Sequence, residues 1–175
     1  MIKRKKKICC DCGHPRYIFS HGRCKYCTNK ASFLLKDHGS ESKESDLTKL
    51  KKKAIAAFNS FIRIRDSKNG EFVCISCQVK KSTRLIQAGH YWAATYESLR
   101  FDERNVNGQC VYCNIFKEGN FPGYTNGMIR KYGQDVVNEL ESLRHKETRR
   151  TAFDYQQIII LYEAKSKLLE VARPS

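Results

Sequence analysis

Cys74-Ile75-Ser76-Cys77 and Cys110-Val111-Tyr112-Cys113-Asn114 bracket the segment Ala88-Gly89-His90-Tyr91, and the reading of this stretch decides the fold. The two C-x-x-C pairs are separated by 32 residues. Two such knuckles place four thiolates around one tetrahedral zinc ion while the chain between them folds into a hairpin. The metal then replaces the apolar core that a short ββα unit is too small to supply. The alternative, four buried free thiols used as small apolar residues, gives no reason for paired spacing.

A lone histidine is ordinarily a surface or core residue. His90, however, lies between the knuckles, Asn105 precedes the second knuckle, and Asn114 follows it directly. Hydrolysis of a phosphodiester requires an activated water and a cation to stabilise charge on the phosphate. A neutral imidazole takes a proton from water near pH 7, which makes His90 the candidate general base. The amide oxygen of Asn114 is a ligand type that suits a hard cation such as magnesium. Asn105 is placed to hold the His90 loop through backbone hydrogen bonds.

Outward from this stretch, the chain has 175 residues, with 33 Lys plus Arg against 18 Asp plus Glu, a formal net charge of +15. Self-repulsion on that scale calls for an anionic partner, of which nucleic acid is the commonest. Residues 1–53 carry 15 basic and 5 acidic side chains, so the N-terminal third is the main electrostatic arm. No apolar run reaches the ~18 residues that span a bilayer, and Met1–Ile8 lacks the apolar core of a signal peptide. The chain therefore reads as cytoplasmic and in contact with no membrane, and under reducing conditions its paired cysteines point to metal rather than disulfides.

A second cysteine set, Cys9-Cys10-Asp11-Cys12 with Cys24-Lys25-Tyr26-Cys27, suggests another structural zinc. Cys9, Cys12, Cys24 and Cys27 have the C-x-x-C spacing, with Cys10 able to displace Cys9 and with His14 and His21 as further candidates. Tyr17, Phe19 and Tyr26 interleave with Arg16, Arg23 and Lys25, a mixture that suits phosphate contact and base stacking or, equally, the minicore of a tiny zinc module. Four parts follow: an N-terminal zinc module over 1–35, a polar linker over 36–46, a zinc-stapled centre over 47–120 and a helical region over 121–175. Helical spacing from Leu47 to Ile62 predicts a helix with Asp46 as N-cap. Asn69-Gly70 predicts a turn, Phe72-Val73 a short strand, and Asn114–Glu118 the start of a helix. Gly133 ends one helix, Val136 to Leu143 mark another, and Thr151 with Asp154 forms a capping box that opens a helix reaching about Ala172. Tyr155, Ile158, Ile159, Tyr162 and Leu169 form its core-packing stripe.

The motifs Ala57-Phe58-Asn59-Ser60-Phe61-Ile62-Arg63, Arg65-Asp66, Cys74–Cys77, Ala88–Tyr91, Leu99–Val106, Gln109–Asn114, Lys117 and Gly119-Asn120 together carry a family resemblance. The segment 58–124 resembles HNH, or ββα-metal, endonucleases on a zinc-binding treble-clef-like frame. More closely, residues 50–170 resemble the NinG (Rap) recombination proteins of lambdoid phages. The cysteine spacing and the resemblance together read as an α+β protein: an N-terminal zinc ribbon-like module, expected from the spacing, a ββα-metal core and a helical C-terminal part, with two structural zinc ions. The resemblance implies a structure-specific, metal-dependent DNA endonuclease acting on four-way junctions and displacement loops in a bacterial host cell, with a magnesium or manganese cofactor. A symmetric junction as substrate favours a homodimer.

One departure from the HNH pattern stands out. Many such enzymes place Asp or His directly before the base histidine as a metal ligand, and this chain has Gly89. Glu118, on the face of Asn114 if the segment is helical, and Asn120 are the candidates for a second ligand; an ordinary exposed Glu118 is the rival. Two other functions fit the same motifs: a non-catalytic zinc protein that binds nucleic acid, and an HNH nuclease with sequence preference.

Overall fold

The computed structural model describes residues 7–8, 15–20, 23–24 and 45–172. The chain divides into two compact units, 1–44 and 45–175. In the first, the described backbone makes two short antiparallel pairings, β1 (Lys7–Ile8) with β2 (Pro15–Arg16) and β3 (Ile18–Ser20) with β4 (Arg23–Cys24). The expected first zinc site lies outside the described residues, Cys24 being described by its backbone alone. So do His14, His21 and the linker at 36–44.

The second unit opens with α1 (Asp46–Arg65). Its N-cap is Ser45, not Asp46: the serine hydroxyl accepts the Thr48 amide at 3.2 Å. Asp46 is the first helical residue, where its charge favours the exposed N–H groups of the helix start. Ala54, Phe58, Phe61 and Ile62 recur at helical spacing and are buried. Asn69 (φ 53°) and Gly70 (φ 74°) close the hairpin between β5 (Ser67–Lys68) and β6 (Glu71–Val73), both in the left-handed region that a two-residue turn demands. β7 (Lys80–Ser82) completes a three-stranded antiparallel sheet.

After a 3₁₀ turn at Thr83–Leu85 come β8 (Ile86–His90) and β9 (Val106–Cys110), an antiparallel ribbon in register from Ile86↔Cys110 to His90↔Val106. The expected helix start at Asn114–Glu118 takes another form. Tyr112–Phe116 is a single π-helical turn, closed by the Lys117 amide on the Tyr112 carbonyl at 3.0 Å. Glu118, Gly119 and Asn120 then all adopt positive φ and turn the chain into α2 (Phe121–Tyr132).

Gly133 (φ 90°) ends α2, as its lack of a Cβ allows, and α3 (Gln134–Leu143) follows. Thr151 and Asp154 form the capping box of α4 (Ala152–Val171). This last helix packs on α1: the Tyr162 ring meets Phe58 edge-on, centroids 4.7 Å apart, with Val106 in the same cluster. A second cluster joins Ile75, Tyr91 and Leu99 to Tyr124, Met128 and Leu140, and a third gathers Phe72 and Ile86 around Cys74, Cys110 and Cys113. The helices of 121–175 therefore share a core with the region of the two cysteine knuckles. The architecture is mixed α and β, and no helix among the described residues is long and apolar enough to cross a membrane.

Candidate metal centre and active site

The first knuckle is the turn between β6 and β7, fixed by the Gln78 amide on the Cys74 carbonyl at 2.9 Å and the Cys74 amide on the Val79 carbonyl at 3.1 Å. The second leaves the end of β9, at Cys110, and enters the π-helical turn at Cys113. The sulfurs of Cys74, Cys77, Cys110 and Cys113 all lie within 4.8 Å of one another, the only such group of metal-ligand side chains among the described residues. Three N–H groups donate to these sulfurs: Cys110 N to Cys74 Sγ at 3.3 Å, Cys113 N to Cys110 Sγ at 3.4 Å and Asn120 Nδ2 to Cys113 Sγ at 3.5 Å. Burial pushes the Cys113 thiol up to about 12 although the Asn120 N–H opposes it. Buried thiolates with amide donors and no cation would be costly; a tetrahedral zinc ion fits the donor set.

The β8–β9 ribbon stands beside this cluster. Strand alternation sends Gln87 and Gly89 to one face and Ala88 and His90 to the other. His90 is half-buried at the end of β8, and its Nε2 lies 3.2 Å from the Arg100 carbonyl. A carbonyl only accepts, so in the neutral ring Nε2 carries the hydrogen and Nδ1 the lone pair. Burial lowers the affinity of His90 for a proton, and the nearby Arg100 charge acts in the same direction, against the hydrogen bond to Arg100. Arg100 is itself tied, Nε to Glu97 Oε1 at 3.0 Å. Glu97 also pairs with Lys51 on α1 and with Arg150 before α4.

Asn105 is fully buried and clamps the loop that follows His90. Its Oδ1 accepts the Trp92 amide at 2.8 Å, and its Nδ2 donates to the carbonyls of Trp92 at 3.0 Å and Leu99 at 3.1 Å. These three hydrogen bonds tie Trp92 and Leu99 together across the loop.

Asn114 sits on the π-helical turn, half-buried, with Nδ2 donating to Gln87 Oε1 at 2.6 Å. It approaches the Gly89 face of the ribbon, and among the described residues no hydrogen bond joins it to His90. Glu118 is exposed with φ 47° and lies past the helical turn. The helical spacing that would relate it to Asn114 does not hold, because the π turn and the left-handed residues re-aim the chain. Asn120 turns its Nδ2 to Cys113 Sγ.

Four residues near the site carried no assignment from the sequence: Arg100, Gln87, Gln109 and Tyr124. Gln109 is fully buried, its Nε2 donating to Ser76 Oγ at 2.7 Å and the Gly119 carbonyl at 2.5 Å. Tyr124 Oη donates to the Gly89 carbonyl at 2.7 Å, pinning β8 to α2. The strand alternation around His90 was the available signal for Gln87 and Gln109; nothing local marked Arg100 or Tyr124.

The family model described as "Bacteriophage Lambda NinG protein" matches residues 28–171. This span holds both central knuckles, His90, Asn105 and Asn114, and leaves Cys9 to Cys27 before it. The chain is 42% identical over 123 residues to Protein ninG of Escherichia phage 933W, covering 70% of this chain and 59% of that protein. It is 41% identical to Protein ninG of Escherichia phage lambda and 42% identical to that of Salmonella phage P22, covering in each case 70% of this chain and 58% of the other. The chain thus spans less than two thirds of the length of these curated relatives. No solved structure matches it. The match runs through every element of the 45–172 unit, from α1 through the cysteine cluster to the end of α4, and the chain belongs to the NinG family of bacteriophage proteins.

Proposed function

We propose that this chain is a metal-dependent DNA endonuclease of the HNH, ββα-metal type, with His90 as general base, acting on branched recombination intermediates. The observation that carries the reading is the state of His90: a ring held through Nε2 on the Arg100 carbonyl and lowered in proton affinity, at the end of a strand whose following loop is clamped by Asn105. Such a ring is neutral at pH 7 and takes a proton from water at Nδ1. Lambdoid phage recombination nucleases are the resemblance that supports branched DNA, and the net charge of +15 supports a polyanionic partner.

The cysteine cluster has a structural task in this account. Its four ligands are all thiolates, which close a zinc shell and leave no open position for water. A hard cation, magnesium or manganese, would be held by Asn114, since Nδ2 is spent on Gln87 and Oδ1 is the free end of that amide. When bound it supplies electrostatic stabilisation to the phosphate. Among the described residues His90 belongs to no group of three or more His, Cys, Asp or Glu ligands, and a cation held by the Asn114 amide without a carboxylate would bind weakly and keep most of its waters. Elemental analysis of the full chain tests the second zinc site at Cys9 to Cys27, with two zinc ions expected and one removing it; Glu118→Ala tests a second ligand to the cation through a loss of magnesium-dependent cleavage. A symmetric four-way junction favours a homodimer with two sites on opposed strands.

A second reading, a non-catalytic zinc module that binds nucleic acid, is favoured by one observation. The place of a ligand side chain at residue 89 is filled by Gln109. The two readings part on one assay. The zinc-loaded full chain and its His90→Ala variant are compared on labelled linear, flapped and four-way DNA with added magnesium. The nuclease reading expects cleavage of the branched forms by the parent chain alone. Binding without cleavage by either protein supports the second reading, and a sequence-dependent pattern on linear duplex supports a sequence-preferring nuclease.

A further inference from the structure

The π-helical turn that carries Asn114 also carries an exposed apolar cluster. Tyr112 is 57% exposed, Ile115 56% and Phe116 73%, all within five residues of chain. Three large apolar side chains grouped on one exposed element of a strongly charged protein call for a partner. The turn has little freedom to bury them. Cys110 and Cys113 anchor its start in the cysteine cluster. Its end is tied by the Gly119 amide to the carbonyls of Cys113 and Asn114, each at 3.0 Å, and by the Asn120 amide to Lys117 at 2.7 Å.

The rings themselves indicate the partner. Tyr112 and Phe116 stand with centroids 6.3 Å apart and planes tilted by 32°. Two neighbouring aromatic rings on an exposed turn of a chain of net charge +15 suit an unpaired base, which stacks on aromatic faces. Lys117 holds its Nζ 5.2 Å from the Tyr112 ring centroid and offers a cation to the phosphate that accompanies a base.

We propose that Tyr112 and Phe116 form a stacking clamp for one unpaired nucleic-acid base, with Lys117 beside its phosphate. The clamp rests on the DNA-binding part of the function proposed above, and it gives that reading a means of telling a branch from a duplex. Bases at a branch point unstack at low cost, whereas a matched duplex gives up its stacking only at a cost of a few kcal/mol per base. Aromatic stacking is tolerant of base identity, because every base has a π face. The clamp therefore selects for shape and not for sequence.

The test uses the zinc-loaded full chain in the His90→Ala background, so that binding is read without strand loss. DNA carrying 5-iododeoxyuridine at the branch point of a flap or four-way junction is irradiated in the complex. The expected cross-link maps to the peptide containing Tyr112 and Phe116; a cross-link confined to other peptides overturns the clamp. Phe116→Ala and Tyr112→Ala are expected to weaken binding to branched DNA by about tenfold each, to leave linear-duplex affinity unchanged, and to retain zinc. Phe116→Tyr is expected to bind as the parent. Unchanged affinity for branched DNA in both alanine variants overturns the proposal, as does a sedimentation result in which they convert a dimer to monomer without change in DNA affinity, since the rings would then serve a second copy of the chain. A parent chain that cleaves branched DNA while both alanine variants bind normally overturns the clamp alone. A chain that cross-links through the rings but never cleaves supports the clamp and overturns the nuclease.

Discussion

The amide oxygen Oε1 of Gln109 lies 2.2 Å from where a Cβ on Gly89 would stand, and Gln109 Cβ lies 2.8 Å from the same point. The absence of a side chain beside His90 is therefore a packing requirement of the ribbon. Gln109 cannot yield easily, because its Nε2 is held by Ser76 and Gly119. Gly89→Ala should destabilise the protein by about 1–3 kcal/mol, the range for overpacking. The double variant with Gln109→Ala should recover part of that loss in a denaturation double-mutant cycle. A Gly89→Ala variant as stable as the parent would mean that Gln109 swings aside freely.

Asn105 should be among the costliest single polar positions. Asn105→Ala leaves the Trp92 amide and the Trp92 and Leu99 carbonyls without the partner they have, the Leu99 bond being buried and the Trp92 bonds half-buried. Each unpaired buried group costs about 1–3 kcal/mol. Urea denaturation should show a loss of at least about 2 kcal/mol, and cleavage should fall with the disordering of the His90 loop. A loss below about 0.5 kcal/mol would indicate that water replaces the amide.

The proton affinity of His90 sets a direction in pH. Burial lowers its folded pKa below the ordinary 6.5, so the unfolded chain binds the proton more readily. The stability contributed by the neutral ring is fully present above 6.5 and is lost as pH falls from there through the folded pKa. Stability measured against pH should slope downward on the acid side of 6.5, and the slope should shrink in His90→Ala. A parent curve with no greater acid-side slope than the variant's would contradict the lowered pKa. Cleavage, if His90 is the base, should be level above 6.5 and decline below its folded pKa.

Replacing a ligand of the described cluster separates the structural metal from chemistry. Cys110→Ser should lose one zinc ion per chain by elemental analysis and unfold the 45–172 unit, since the metal's binding energy is folding energy. Circular dichroism should fall with the zinc. Retention of both the zinc and the helical signal would show that three thiolates suffice.

Much of this fold was readable because its signals are local. Thr151 and Asp154 announce α4, Gly133 ends α2, and Asn69-Gly70 closes a hairpin within two residues. The C-x-x-C spacing encodes a cluster whose members meet through the β6–β7 turn and the end of β9. What escaped the sequence depends on non-local packing. The π turn arises where the cysteine anchor and the left-handed residues Glu118 to Asn120 constrain Tyr112–Phe116 from both ends. The Arg100 carbonyl that holds His90 has no side-chain signature at all, and the Tyr162–Phe58 contact joins residues more than a hundred positions apart. Gln109 is conspicuous only once the ribbon register, which pairs it with Gln87, sets its side chain diagonally across from Gly89.

The most direct measurement is single-turnover cleavage of a labelled four-way junction by the zinc-loaded parent chain and by His90→Ala, with magnesium and at pH 7.5. The account predicts cleavage by the parent, and a loss in the variant of about 10²-fold or more, the usual contribution of a general base. DNA affinity and zinc content should stay near those of the parent. Cleavage by His90→Ala at the parent's rate, or no magnesium-dependent cleavage by the parent on any branched DNA, would contradict it.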